Sequence, residues 1–336
     1  MKRFVDLADL TREEVLDLLA LAARLEMRPE PAALVSKVMA LVFFNPSLRT
    51  LASFQSGMAR LGGTSFVIAP GQGSWQLETR TGAVMDGAAA EHVREAIPVL
   101  AGYADAIGIR SFAGGTDLAA DLAEETFKAM AAVCPVPLIN MESAVNHPCQ
   151  ALADWRTMDE LAVPANGGKF VLSWAWHPKA LPLAVPAAAV HMAAHRGMDV
   201  TILRPDGFGL PAAIMDKARN AAALSGGSVR ETADRSEAMA GAHVLYAKSW
   251  TAPSAYGDPA AEAALRAPLR DWCVGEEWFA PAAPECRFMH CLPVRRNVVV
   301  RDEVLDGPRS AVVREAHNRM WTQMAVLHRL MQGGAV

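Results

Sequence analysis

The chain has 336 residues, a length that corresponds to about two domains. Its 52% hydrophobic and 20% charged residues are typical of a globular protein and exclude a disordered or collagenous chain. Because 32 lysines and arginines face 36 aspartates and glutamates, the net charge is −4; no nucleic-acid partner is expected, and any anion must be bound by a local cluster.

The N-terminal segment predicts a surface helix rather than a signal peptide. Acidic residues interrupt residues 1–25 at helical spacing, and the helix is expected to begin near Thr11. A later apolar stretch, 180–194, contains two prolines and is too short to cross a bilayer. The sequence therefore predicts a soluble protein with no membrane partner.

Short apolar runs alternate with helical stretches along nearly the whole chain. They predict strands at 38–44, 65–69, 106–110, 136–141, 170–176, 199–203, 228–232, 243–247 and 287–290. Helices are predicted at 148–161 and 312–331. The predicted fold class is α/β, with two doubly wound parallel-sheet domains joined by interdomain helices. The expected domains are 1–147 and 148–311, followed by a C-terminal helix, 312–336, that packs back on the first domain.

The first stretch that could carry chemistry lies where strand 38–44 meets a helix. The sequence Asn-Pro-Ser-Leu-Arg-Thr places Ser47 at the helix start and Arg49 and Thr50 in the first turn. Backbone N–H groups, hydroxyls and a guanidinium at the positive end of a helix favour a bound phosphate. The alternative is that Ser47 is only an N-cap and Arg49 a solvated side chain.

A second polar stretch, 139–150, also follows a predicted strand. It would place His147 and Gln150 three residues apart on one face of a first helical turn. A donor or acid next to an amide could hold a carbonyl and its amino group together. The alternative is a hinge histidine whose hydrogen bonds are satisfied by the backbone.

The third stretch, 290–297, ends the last predicted strand with a rigid proline turn. This turn would direct backbone carbonyls and the Cys291 thiol into the crevice beyond the sheet, where ligands bind in open α/β folds. Cys291 could be a nucleophile, but a small buried thiol is the favoured interpretation.

The five cysteines are odd in number and form no Cys-x-x-Cys pair. This pattern argues against a disulfide framework and against a structural zinc site, so a reducing cytoplasm and no metal are expected. The chain also has no Gly-x-Gly-x-x-Gly after a first strand and no Walker lysine motif, which argues against a nucleotide-dependent enzyme such as a dehydrogenase.

Together, the three stretches resemble the transcarbamylase family. Ser-x-Arg-Thr at 47–50, His-Pro-x-Gln at 147–150 and His-Cys-Leu-Pro at 290–293 are similar, in order and separation, to the signatures of aspartate and ornithine carbamoyltransferases. The resemblance spans the whole chain and implies the fold of those enzymes. It implies that 1–147 binds carbamoyl phosphate and 148–311 the second substrate, with no cofactor.

Within the family, the sequence is most similar to N-acylornithine carbamoyltransferases of the acetyl and succinyl types. Ordinary ornithine enzymes carry Asp-x-x-x-Ser-Met-Gly where this chain has residues 246–250, and Lys248 replaces the aspartate. A lysine suits a substrate with an acylated α-amine, since only its α-carboxylate needs a counter-charge. The implied reaction transfers a carbamoyl group from carbamoyl phosphate to the δ-amine of an acylornithine, giving N-acylcitrulline and phosphate in arginine biosynthesis.

The resemblance also implies a role for each matched residue. The residues expected to bind carbamoyl phosphate are Ser47, Leu48, Arg49, Thr50, Trp75, Arg110, His147, Gln150 and Arg319. Those expected to bind the acylornithine are Glu142, Lys248, Cys291, Leu292 and Arg295. The expected catalytic residues are Arg49, Arg110, His147, Gln150 and Cys291. Trp75 matches a residue that such enzymes lend to a neighbouring subunit, which implies a homotrimer with sites at subunit interfaces.

Four positions depart from the family pattern. Leu51 replaces a second arginine, His317 a glutamate, and Val299 a lysine found in some acetyl-type members. Ala90 stands where acetyl-type members carry a glutamate that would repel the second carboxylate of a succinyl group, which slightly favours succinylornithine and leaves acetylornithine open. An ordinary ornithine carbamoyltransferase and a catalytically inactive phosphate-binding relative are the alternatives.

Overall fold

The computed structural model describes residues 1–332 and divides the chain into two units. The first unit consists of residues 1–113, 123–149 and the chain from Arg319 onward, and the second of residues 114–122 and 150–318. The chain passes from the first unit to the second at 149/150 and back at 318/319, two and seven residues after the boundaries expected at 147 and 311.

The first unit contains a five-stranded parallel sheet in the order β1-β7-β6-β2-β3. A separate parallel pair joins β4 and β5. The strands are β1 (Arg3–Phe4), β2 (Val38–Phe43), β3 (Thr64–Ile68), β4 (Leu77–Glu78), β5 (Glu91–His92), β6 (Ala106–Arg110) and β7 (Leu138–Glu142). The first five helices along the chain are α1 (Arg12–Met27), α2 (Leu48–Arg60), α3 (Val93–Ala101), α4 (Leu118–Ala123) and α5 (Glu125–Ala132).

The second unit contains another five-stranded parallel sheet, in the order β10-β9-β8-β11-β12. Its strands are β8 (Lys169–Trp174), β9 (Asp199–Leu203), β10 (Ser228–Thr232), β11 (Val244–Lys248) and β12 (Arg287–Met289). The remaining helices are α6 (Pro148–Glu160), α7 (Ala184–Arg196), α8 (Ala212–Ser225), α9 (Arg235–Met239), α10 (Pro259–Arg266), α11 (Asp302–Leu305) and α12 (Val312–Gln332). Both α6 and α12 run through a change of unit.

The central strands of each sheet are buried along almost their whole length. The core of the first unit includes Val42, Ile97, Ile107 and Phe127, and that of the second includes Val171, Leu245 and Phe288. Continuous apolar runs are what a parallel sheet with two covered faces requires.

The structure confirms the predicted α/β class and all nine predicted strands, whose ends shift by no more than two residues. The first long helix begins as predicted, because Thr11 forms a capping box with Glu14. The two-residue strands β1, β4 and β5 were not predicted. Among residues 1–332, no helix is both long enough and apolar enough to span a bilayer.

Candidate active site

The turn between β2 and α2 is closed by hydroxyl groups. Ser47 is the N-cap of α2: its Oγ accepts a hydrogen bond from the Thr50 backbone N–H (3.3 Å) and lies 3.0 Å from Thr50 Oγ1. Asn45 Oδ1 accepts from the Phe112 N–H (2.8 Å), which ties the turn to the segment after β6. The turn presents Leu48, 79% exposed, at the positive end of the helix.

The last helix brings a third arginine to this turn. Nη2 of Arg319 donates to Thr50 Oγ1 over 2.9 Å, and both side chains are buried. Burial lowers the pKa of Arg319, and the charges of Arg110 and Arg49 act in the same direction. Arg49, Arg110 and Arg319 thus form the local cationic cluster that anion binding requires in a chain with little net charge.

A buried carboxylate holds two of the predicted site residues. The Arg110 guanidinium at the end of β6 is paired with Glu142 Oε2 at the end of β7, and His147 Nε2 lies 3.3 Å from the same oxygen. Each of the three side chains is at most 9% exposed. Arg110 also lies over the Phe112 ring, 4.5 Å from its centroid. The sequence assigned Glu142 to the acylornithine and did not anticipate this pairing.

Gln150 lies in the first turn of α6, three residues after His147, as the spacing predicts, and it is 2% exposed. Its Nε2 donates to Asp154 Oδ1 (2.7 Å) and to Glu315 Oε1 (2.9 Å). Asp154 stands one helical turn further along, and helical spacing could have identified it. Glu315 is 165 positions away and is brought there only by the tertiary fold.

The turn after β12 has an unusual backbone. The His290 N–H donates to Glu315 Oε2 (3.0 Å), and His290 Nδ1 accepts from the Leu292 N–H (2.9 Å). Leu292 has a φ of +54° and precedes a cis proline. A left-handed backbone is costly for leucine and is typical of functional sites. Cys291 is 8% exposed, which agrees with the interpretation of a small buried thiol.

A second cationic group lies beyond the end of β11. Arg295 Nε donates to His177 Nε2 over 3.1 Å. His177 Nδ1 lies 2.9 Å from the Lys179 carbonyl oxygen and 3.1 Å from the Lys179 backbone nitrogen. Burial lowers the pKa of His177, and the charges of Arg295 and Lys248 lower it further. His177 thus lies beside two cationic side chains.

His177 was not among the predicted site residues. It begins the polar segment His-Pro-Lys, which follows the end of β8, and this position shortly after a strand was the signal by which it could have been found.

Trp75 is exposed, as its glycine-rich loop predicts. Its exposed fraction is 61%, and its Nε1 donates to Glu91 Oε2 over 2.8 Å. An exposed large aromatic side chain held by a hydrogen bond is typical of a residue that another molecule covers.

The departures from the family pattern lie in different surroundings. Leu51 is half-buried, whereas His317 and Ala90 are exposed. Val299 is 3% exposed and belongs to the apolar core of the second unit. Within residues 1–332, no three His, Cys, Asp or Glu side chains are grouped so that they could hold a metal ion.

Comparisons with known families agree with the geometry of both units. The family model for the aspartate/ornithine carbamoyltransferase carbamoyl-P binding domain matches residues 2–160, and the model for the Asp/Orn binding domain matches residues 185–330. Together the two models cover most of the chain.

Known relatives and solved structures match nearly the full length. N-acetylornithine carbamoyltransferase of Xanthomonas campestris pv. campestris is 40% identical, over 98% of each chain. N-succinylornithine carbamoyltransferase of Bacteroides thetaiotaomicron is 37% identical, over 89% of this chain and 88% of its own. A crystal structure of acetylornithine transcarbamylase complexed with acetylcitrulline superimposes with a TM-score of 0.94 at 40% identity, covering 98% of this chain and 99% of that one. The chain belongs to the aspartate/ornithine carbamoyltransferase family.

Proposed function

We propose that this protein transfers a carbamoyl group from carbamoyl phosphate to the δ-amine of an Nα-acylated ornithine, and that N-acylcitrulline and phosphate are formed. The observation that carries the proposal is the group of Lys248 and Arg295 at His177: Arg295 donates a hydrogen bond to the ring, and the charges of both cations lower its pKa. Such a group favours a substrate that presents an α-carboxylate without an α-ammonium. The similarity to both acetyl- and succinylornithine enzymes supports the same choice.

Carbamoyl phosphate is assigned to the first cationic cluster. The phosphate group is bound by the α2 N-terminus and by side chains that the last helix and β6 supply, a set composed of Ser47, Leu48, Arg49, Thr50, Arg110 and Arg319. The carbamoyl oxygen and nitrogen are assigned to His147 and Gln150. Hydroxyls, backbone N–H groups at a helix start and guanidinium groups are the ordinary means by which proteins bind phosphate.

The acylornithine is assigned to the second group. Lys248 and Arg295 bind its α-carboxylate, while Cys291 and Leu292, in the turn after β12, lie near the reacting amine. Glu142 is the carboxylate assigned to this substrate from the first unit, where it already holds Arg110 and His147.

The reaction is a direct displacement. The neutral δ-amine attacks the carbamoyl carbon, the C–N bond forms, and the C–O bond to phosphate breaks. The developing oxyanion is held by His147, Arg110 and Thr50, and the departing phosphate takes the proton of the amine. Each charge-assisted donor directed at the oxyanion contributes roughly 3 kcal/mol, or about 100-fold in rate. No covalent intermediate forms on Cys291.

The assembly and location form part of the proposal. Trp75 is 61% exposed, which supports a homotrimer in which it enters the carbamoyl-phosphate site of a neighbouring subunit. All five cysteines are free, which supports a reducing, cytoplasmic location.

The test is a parallel assay of carbamoyl phosphate with ornithine, acetylornithine and succinylornithine. We expect N-acylcitrulline from at least one acylated substrate and little citrulline from ornithine. Arg49→Ala and His147→Ala should each lose turnover while keeping their fold. Arg60→Ala, at the opposite end of α2 from Arg49, is the control and should retain activity. Activity on free ornithine alone, or near-normal activity of Arg49→Ala, would overturn the proposal.

A further inference from the structure

Two carboxylates with no part in the direct displacement are buried in the second unit. Asp154, on α6, is 1% exposed, and Glu315, on α12, is fully buried. Buried carboxylates are costly unless they are hydrogen-bonded or share a proton, so their presence here requires an explanation.

Hydrogen-bond donors from two of the predicted functional stretches and from a strand of the second unit surround this pair. Gln150 Nε2 donates to Asp154 Oδ1 (2.7 Å) and to Glu315 Oε1 (2.9 Å). The His290 N–H donates to Glu315 Oε2 (3.0 Å), and the Tyr246 hydroxyl lies 3.4 Å from Glu315 Oε1. Glu315 therefore links the start of α6 to the turn after β12.

The two carboxylates flank the same amide nitrogen, that of Gln150. Burial raises the pKa of Glu315 well above its usual range, and the nearby Asp154 raises it further. Burial likewise raises the pKa of Tyr246, so its hydroxyl remains a donor to Glu315.

This arrangement fixes the orientation of the Gln150 amide. Two carboxylate oxygens accept hydrogen bonds from its nitrogen. If the amide were flipped, its carbonyl oxygen would face these two acceptors, which is unfavourable. An amide whose N–H bonds are both used in this way can bind a further group only through its oxygen. The amino group of carbamoyl phosphate is a donor and requires such an acceptor.

We propose that Glu315 and Asp154 are positioning residues for carbamoyl transfer: by accepting the two N–H bonds of Gln150 they hold this side chain with its carbonyl oxygen directed at the amino group of carbamoyl phosphate. This inference rests on the proposed function, because there Gln150 is assigned to the carbamoyl group. Neither acid contacts the substrate. Their effect is to make the site selective for a donor that bears N–H bonds.

The test is Glu315→Gln, which keeps the shape of the side chain but replaces one oxygen with an NH₂ group. That NH₂ group must face either Gln150 Nε2 or the His290 N–H. In both cases two hydrogen-bond donors face each other and one hydrogen bond is lost. We expect kcat/KM for carbamoyl phosphate to fall by about 10- to 100-fold, the usual range for a lost hydrogen bond of this kind.

Acetyl phosphate supplies the discriminating measurement, because it carries a methyl group where carbamoyl phosphate carries its amino group. Its inhibition constant against carbamoyl phosphate should change less than about twofold in Glu315→Gln, since a site that loses only an acceptor discriminates only against the ligand that used it. Equal weakening of both ligands would indicate a general structural role and overturn the inference. An unchanged kcat/KM for carbamoyl phosphate would overturn it as well.

Two further variants complete the design. Glu237→Gln removes an exposed carboxylate of the second unit that pairs with the exposed Arg230. Both constants should stay at their wild-type values. Asp154→Asn should reproduce the selective loss and replaces Glu315→Gln if that variant does not fold. Failure of the proposed function can be distinguished from failure of this inference, because the wild-type protein would then form no N-acylcitrulline.

Discussion

Arg319 donates a hydrogen bond to the hydroxyl of Thr50 over 2.9 Å, although 269 positions separate the two residues. The bond joins the last helix to the first turn of α2, and both partners are buried. The first turn of α2 is therefore held by a side chain from the last helix.

Replacing Arg319 tests that assembly. In Arg319→Gln, the turn loses a buried cation and a donor to Thr50, and a hydrogen bond to a charged group is worth about 1.5 to 3 kcal/mol. We expect KM for carbamoyl phosphate to rise about 10- to 100-fold. Steady-state kinetics with each substrate varied in turn will measure it. Arg314→Gln, an exposed position on the same helix, is the control; equal kinetics in the two variants would contradict the assignment.

Glu142 is expected to stabilise the folded protein when no anion is bound beside Arg110. Glu142→Gln leaves Arg110 buried without its counter-charge, and breaking a buried pair in this way costs about 3 kcal/mol or more. Inorganic phosphate supplies a replacement charge and should therefore raise the Tm of the variant more than that of the wild type. Thermal unfolding with and without phosphate measures both effects. The control is Glu237→Gln, which breaks an exposed pair with Arg230 and should lower Tm little. If phosphate raises the Tm of Glu142→Gln and of the wild type by the same amount, the expectation is refuted.

We expect the titration of His177 to lower the free energy of unfolding in acid. Its folded-state pKa lies below the ordinary value of 6.5, chiefly because of burial. Below pH 6.5 the unfolded chain takes up a proton more readily than the folded one, so the contribution of His177 is complete above this pH and is lost as the pH falls toward the folded pKa.

The matched variant is His177→Gln, which cannot titrate. Urea unfolding at a series of pH values between neutral and mildly acidic should show a steeper loss for the wild type than for the variant. KM for the acylornithine should rise over the same interval in the wild type, since a protonated imidazole cannot accept from Arg295 and repels it. Parallel pH curves for the two proteins would show that the pKa of His177 is the same in the folded and the unfolded chain, and would contradict the expectation.

Ala90 is expected to permit binding of succinylornithine, because alanine places no negative charge near the second carboxylate of that substrate. Ala90→Glu places a carboxylate at an exposed position of the segment before β5, where it would repel the second carboxylate of succinylornithine. We expect the ratio of kcat/KM for succinylornithine to that for acetylornithine to fall by about tenfold or more, which corresponds to ~1.4 kcal/mol. Ala90→Gln, with the same size but no charge, is the control. If both variants shift the ratio equally, size and not charge determines it.

The proposed exchange of Trp75 between subunits can be tested by mixing two inactive variants. Trp75→Ala lacks the residue that is lent, and His147→Ala lacks a residue of the receiving site. Each mixed trimer would contain one site with both native residues, so a 1:1 mixture should regain about a quarter of wild-type activity. Mixed samples as inactive as the separate variants would show that each subunit completes its own site.

Most of the fold could be predicted because strands buried on both faces leave continuous apolar runs, and β2, β6, β8 and β9 all carry them. Helix starts were equally visible, since Thr11 and Ser47 are ordinary N-cap residues. The strand β1 could not be predicted, because two residues provide no alternation; its pairing with β7 is a consequence of the tertiary fold.

The candidate site was predictable where partners are close in sequence. The spacing of His147 and Gln150 is helical and local. The partner of Gln150 on α12, Glu315, could not be inferred, since nothing in the sequence places residues 165 positions apart in contact. The pairing of Glu142 with Arg110 depends on β6 and β7 being neighbours, which a list of strands does not specify.

The bond between Arg110 and Glu142 has a consequence for the end of the catalytic cycle. In the proposed assignment, an incoming phosphate would meet a guanidinium that is already paired with Glu142, so the two anions would compete for Arg110. The binding free energy of phosphate would then be the difference between its own attraction to Arg110 and that of Glu142. When the product phosphate leaves, Glu142 would pair with Arg110 again, and no buried cation would remain unpaired. This competition would speed the release of a tightly bound dianion.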